Sequence, residues 1–186
     1  MTTSSRVRHH RPVPPAAARR VLVAAAVGLA TAAATVLAAP SASASQAGQY
    51  RISNVATGKC LEVADWRTDD GAPVRQWTCT GGANQQWTSG PGSTIINVHS
   101  GKCLEVPGYS TTMGTPIDQW SCNGGSNQGW LDETLGTGFP HVYPNVNSGL
   151  WLDLYGGSPA DGTPVIQWPC NDRPNQHWFT NGPVAQ

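Results

Sequence analysis

One trio of side chains occurs three times in this chain at a single fixed spacing. An acid is followed after 15 residues by a tryptophan and after seven more by an asparagine: Glu62, Trp77, Asn84; Glu105, Trp120, Asn127; Asp153, Trp168, Asn175. Each trio joins a carboxylate acceptor, an amide that donates and accepts, and a flat apolar ring. A sugar asks for that mixture, because it has one face of C–H groups and a rim of hydroxyls. Hydrogen bonds to an ionised carboxylate are the stronger ones, so the acid would anchor the hydroxyls. The chemistry expected is recognition without bond breaking. A glycosidase needs two carboxyl groups about 5–10 Å apart, whereas the regular acids here occur once per copy. The adjacent acids Asp69-Asp70 and Asp132-Glu133 lie in Gly-rich stretches and read as solvated turns. His99, His141 and His177 show no metal-ligand spacing, and Cys170 has no basic neighbour to activate it. No catalytic residue, no metal and no cofactor are therefore expected.

The elements that must position these trios repeat with them. The motif NQxW ends each copy, as Asn84-Gln85-Gln86-Trp87, Asn127-Gln128-Gly129-Trp130 and Asn175-Gln176-His177-Trp178, with steps of 43 and 48 residues. The copies cover about 48–88, 93–131 and 140–179. Within each, a strand carries the acid (Cys60-Leu61-Glu62-Val63, Cys103-Leu104-Glu105-Val106, Trp151-Leu152-Asp153-Leu154). A polar loop closes on Gly71, Gly114 or Gly162, and a second strand ends in Gln-Trp. Short alternating runs broken by Gly, Asn and Pro predict an all-β fold of about twelve strands. One copy cannot bury both faces of its sheet, so three must close round a pseudo-threefold axis. The alternation sends Trp87, Trp130 and Trp178 to the centre, with Leu61, Leu104, Leu152, Val74, Ile117 and Val165 around them.

The first 44 residues read as a secretory signal peptide. Five arginines and no acid precede the apolar run Val21–Ala39, and Ala42-Ser43-Ala44 offers a small-residue cleavage site. The Arg19-Arg20 pair alone is a poor twin-arginine signal, so the ordinary secretory route is expected. Residues 45–186 then form one domain, carrying six basic and eleven acidic residues. That balance gives no footprint for nucleic acid or an anionic membrane. Cysteines fit an exported protein. Cys60 and Cys79 are 19 apart, as are Cys103 and Cys122, which predicts two disulfides, one inside each of the first two copies. In the third copy Trp151 takes the first position. Cys170 is expected free and buried as a small hydrophobe, with an intermolecular bridge as the alternative.

Taken together, C-L-[DE]-V, Q-W and NQxW in three phased copies resemble the ricin-type β-trefoil lectin family, the QxW carbohydrate-binding modules, over essentially all of residues 48–180. The resemblance implies a six-stranded barrel capped by three hairpins, with one shallow sugar site per copy, named alpha, beta and gamma in chain order. It implies that the acid, the aromatic and the Asn of each trio hold the sugar, and that Gln85, Gln128 and Gln176 brace the acids. The family's usual acid is Asp. Only Asp153 keeps it, while Glu62 and Glu105 are one methylene longer, so gamma ranks first as a working site. The residue two before each tryptophan varies (Arg75, Asp118, Ile166), so the three sites need not share a specificity. Trp66, Tyr109 and Tyr155, in the loop after each acid, are candidates to extend a site.

The expectation is a free-standing, secreted, monomeric lectin for a plant, microbial or host mono- or polysaccharide. Each site alone would bind at around millimolar strength, with avidity where a ligand spans two of them. The competing class is a trefoil scaffold for protein partners, such as a secreted protease inhibitor. Its feature would be the insert Leu131–Asn145, which also accounts for the longer second step.

Overall fold

The computed structural model describes residues 48–134, 136 and 140–181; the expected signal segment 1–44 lies outside them. The first copy supplies β1 (Gln49–Asn54), β2 (Cys60–Val63), β3 (Ala72–Trp77) and β4 (Trp87–Gly90). The second supplies β5 (Thr94–Asn97), β6 (Cys103–Glu105) and β7 (Asp118–Trp120), with β8 (Glu133–Thr134) just beyond it. The third supplies β9 (His141–Val142), β10 (Trp151–Leu154), β11 (Val165–Trp168) and β12 (Trp178–Asn181). Among the described residues the only helical pieces are three-residue 3₁₀ turns. Six of the seven recur at two places, after each acid-bearing strand and at each Asn-Gln pair; the seventh, Pro91–Ser93, joins β4 to β5.

Six segments close into a barrel. β1 pairs with β12 on one side and β4 on the other, and β4 pairs with β5. Thr94 bridges to Gly129, Trp130 bridges to Asn145, and β9 pairs with both β8 and β12, completing the ring. The β8–β9 hairpin is formed from the described ends of the insert, so those ends belong to the barrel wall. The other six strands form three hairpins, β2–β3, β6–β7 and β10–β11. They cap the barrel and lean on one another round the axis. The Gly71, Gly114 and Gly162 amides donate to the carbonyls of Gln119, Gln167 and Gln76, each in a different copy.

The core is the one the alternation places. Trp87, Trp130 and Trp178 are at most 1% exposed and fill the barrel. Each indole N–H donates to the carbonyl of the leucine beside the acid: Leu61 at 3.1 Å, Leu104 at 3.0 Å and Leu152 at 3.1 Å. A buried indole thereby keeps its donor satisfied. It also ties the barrel to the strand that carries each site. Leu61, Leu104, Leu152, Val74, Ile117 and Val165 pack around these rings.

Both predicted disulfides form, Cys60–Cys79 and Cys103–Cys122, each with Cα atoms 5.1 Å apart. Cys170 is free, as expected, but it is exposed rather than buried. The cause is its place in the repeat. The position after the second hairpin strand lies toward the surface in every copy, and Cys122 is exposed as well. Only the partner position, Cys60 or Cys103, is buried.

The copies are stitched by the glutamines of the Gln-Trp motif, to which the sequence assigned no role. Gln76, Gln119 and Gln167 are fully buried. Gln119 donates to the carbonyls of Arg67 and Asp69 in the first copy, Gln167 to Ser110 and Thr112 in the second, and Gln76 to Ala160 in the third. Each copy thus grips the loop that follows the neighbouring acid. Asp70 is part of the same stitching rather than a solvated turn: it pairs with Lys102 at 2.7 Å and accepts from the Ser121 amide. Asp161 does the same for Lys59 and Thr78.

Candidate functional site

Antiparallel pairing puts the acid and the variable position of each copy side by side on one hairpin. Glu62 faces Arg75, Glu105 faces Asp118 and Asp153 faces Ile166. Directly opposed residues on one sheet face interact strongly. The three hairpins therefore hold an ion pair, a like-charge pair and a lone acid.

The braces are alike. Gln85, Gln128 and Gln176 are fully buried and donate to Glu62 Oε2 at 2.8 Å, Glu105 Oε2 at 2.6 Å and Asp153 Oδ2 at 2.8 Å. Each also donates to the carbonyl that follows its tryptophan, that of Thr78, Ser121 or Pro169. The NQxW motif thus locks the acid and the platform strand with one amide.

The asparagines are not alike. In the gamma copy Asn175 Nδ2 donates to Asp153 Oδ1 at 2.9 Å. Asn84 and Asn127 donate to the main-chain carbonyls of Val63 and Val106, as Asn175 also does to that of Leu154; the Asn127 amide in addition favours the ionised form of Glu105. Asn84 and Asn127 are 2% exposed, and their side-chain oxygens are buried with no partner. Asn175 is only half-buried.

In alpha, Arg75 occupies the space a ligand would need. Its guanidinium lies 4.3 Å from the centre of the Trp77 ring and donates to Glu62 Oε1 at 3.0 Å and Asp65 Oδ1 at 2.9 Å. The platform and the acid of this copy are thus satisfied from within, by a cation–π contact and an ion pair. A cavity of about 210 Å³ remains, lined by Glu62, Arg75, Trp77, Asn84 and Trp66. In beta, Glu105 and Asp118 crowd each other. Burial, then the Glu105 and Asp70 carboxylates, push Asp118 up to about 7. Trp120 is the most exposed of the three platform rings.

In gamma nothing fills the site. A cavity of about 360 Å³ is lined by Asp153, Trp168 and Asn175, together with Tyr155, Ile166 and Arg173. Asp153 is 3% exposed, and burial raises its pKa against the opposing hydrogen bonds from Gln176 and Asn175.

Two features of gamma lie beyond the trio. Trp66 and Tyr109 sit four residues after their acids, at φ 56° in both cases, whereas Tyr155 sits two after its acid. The four-after position in gamma is Gly157 (φ 61°). Opposite it, alpha and beta have Gly82 and Gly125 where gamma has Arg173. A Cβ on Gly82 would lie 2.7 Å from the Trp66 ring, and one on Gly125 would collide with the Tyr109 hydroxyl. Ring and glycine have exchanged sides in gamma. The notice for this exchange was visible in the aligned copies, as Gly, Gly and Arg at one position.

The remaining candidates are accounted for structurally. His99 meets the Trp66 carbonyl, His141 pairs with Asp132, and His177 pairs with Asp172. No cluster of three metal-ligating side chains occurs among the described residues.

Residues 48–178 match the family model of the ricin-type beta-trefoil lectin domain. Among solved structures, the chain is similar to a designed three-fold symmetric protein, ThreeFoil, at 37% identity and TM-score 0.69, over 72% of this chain and 98% of that one. It is also similar to an exo-β-1,3-galactanase from Clostridium thermocellum (34% identity, TM-score 0.68, 73% of this chain), of which it spans 30%. A third is a non-toxic homologue of type II RIPs from Momordica charantia, solved with α-methyl-D-galactoside (26% identity, TM-score 0.62). There the match covers 72% of this chain and 47% of that one.

Proposed function

Because the chain belongs to the ricin-type β-trefoil lectin family, we propose that it is an exported, non-enzymatic sugar-binding protein whose working site is gamma. Carbohydrate binding is the property that the family and the lectin-like neighbours support. The choice of gamma is carried by one observation. There the Asn amide donates to the carboxylate at 2.9 Å, and both line, with Trp168, a cavity of about 360 Å³. Asp153 and Asn175 then form a preset pair for two adjacent hydroxyls, and Trp168 takes the apolar face of the ring. Gln176 fixes the carboxylate, so binding a ligand costs little further ordering. Alpha, whose acid and platform are engaged by Arg75, is a structural copy, and beta binds weakly. A single shallow site gives around millimolar affinity for a monosaccharide, so the biological ligand presents many copies of its sugar.

The test is a glycan array probed with the wild type and an Asp153→Ala, Asn175→Ala variant. The expected result is a defined set of sugars bound by the wild type and lost in the variant. Binding that survives in the variant moves the function to Glu62 or Glu105. A folded wild type that binds no glycan overturns the lectin reading and directs attention to protein partners.

A further inference from the structure

We propose that the gamma site takes a sugar bearing a negative charge, a carboxylate or a sulfate ester, and that Arg173 is the residue that reads it. This rests on gamma being the sugar site, and it adds the class of ligand.

The first ground is the exchange of ring and glycine. Alpha and beta close over this corner with Trp66 on Gly82 and Tyr109 on Gly125. Gamma places Gly157 there and an arginine opposite, so a cation stands at the rim of the gamma cavity. The second ground is the state of that cation. Lys59, Arg67, Arg75 and Lys102 are each held by a carboxylate. Arg173 enters no ion pair among the described residues, and the acid beside it, Asp172, is engaged with His177 at 3.0 Å. Of the six bases in a domain with eleven acids, Arg51 is likewise outside the ion pairs among the described residues, but it is Arg173 that lines the gamma cavity.

The third ground is depth. Asp153 is 3% exposed at the floor, and each of its oxygens already receives one N–H. Arg173 is exposed at the rim. The hairpin partner of the acid is Ile166, so the site holds no Arg75-like cation that would neutralise Asp153 from within. A pyranose seated on Trp168 would offer hydroxyls to the floor and an exocyclic or ring substituent to the rim. A guanidinium has donors only, in a planar fork that fits a carboxylate or a sulfate through two bonds at once.

The experiment is an array of matched glycans, each in neutral, uronic acid and sulfate ester form, read with the wild type, Arg173→Gln, Arg173→Lys and Asp153→Ala. Glutamine keeps the Cβ and most of the bulk but removes the charge. Circular dichroism confirms that each variant is folded. The charged member of each bound set is expected to bind ~10-fold more strongly than the neutral one. Arg173→Gln is expected to bring it down to the neutral level while neutral binding stays within ~2-fold, and Arg173→Lys to retain part of the preference. The uronate and sulfate arms identify which anion is read. Equal or stronger binding of the neutral member by wild type overturns the proposal, as does a preference that survives Arg173→Gln. Neutral binding that disappears in Asp153→Ala leaves gamma standing as the sugar site even then, whereas a folded wild type that binds nothing removes both readings.

Discussion

The alpha and gamma copies have equivalent strands, a braced acid and a tryptophan at the same spacing, yet alpha keeps a cavity of about 210 Å³ partly filled by its own arginine and gamma one of about 360 Å³. The difference lies in two side chains. Arg75 in alpha lies over Trp77 and pairs with Glu62; Ile166, at the same place in gamma, carries no charge to pair with Asp153. Asn84 donates to the Val63 carbonyl, while Asn175 donates to Asp153 itself. A repeated scaffold fixes where a site stands. Whether it is a site depends on the length of one acid and the identity of its cross-strand neighbour.

The comparison can be broken most forcefully at Arg75. Glu62 is 4% exposed, and removal of its cation leaves a buried carboxylate with Gln85 as its remaining partner. Arg75→Ala is expected to cost about 2 kcal/mol, measured by urea unfolding. The matching change in gamma, Ile166→Ala, touches no charge. A loss for Arg75→Ala no larger than that for a surface substitution would mean that the alpha ion pair is incidental.

Next in size is the acid itself. Asp153→Glu gives gamma the alpha and beta residue, and it should break the Asn175 bond and weaken sugar binding about tenfold, with folding unchanged, as titration calorimetry would show. The reverse construction sharpens the point: Glu62→Asp with Arg75→Ile should raise the binding stoichiometry from one toward two.

The smallest effect separates beta from both. Asp118, pushed up to about 7, holds a proton in the folded protein that the unfolded chain gives up near its ordinary value of 3.8. Its contribution to stability is therefore complete below about pH 4 and is lost as pH rises through 7. Asp118→Asn should raise Tm by about 2 °C at pH 8 and leave it unchanged at pH 4. An equal shift at both pH values would show that the Glu105–Asp118 crowding carries no electrostatic cost.

Much of this was legible before any coordinates. Trp87, Trp130 and Trp178 fell in phase with period-2 strands, and their burial follows from that phase alone. Cys60–Cys79 and Cys103–Cys122 could be paired because the same separation occurs twice at equivalent places. The braces Gln85, Gln128 and Gln176 came with the motif. Cys170 was misplaced, since its copy lacks the buried partner that would have marked which end of the pair is inside. Gln76, Gln119 and Gln167 went unread because their hydrogen-bond partners lie in other copies, across 50 or more residues of chain.

The sequence by itself determined the repeat, the all-β class, the central tryptophans, the two disulfides and the three trios. All of these are properties of backbone register, and a fixed period encodes register directly. Only the tertiary structure decided that Arg75 covers Trp77, that Asn175 donates to Asp153, and that Arg173 stands at the rim of a cavity. Those outcomes depend on the reach of single side chains and on neighbours brought together through space, and spacing along a chain does not record either.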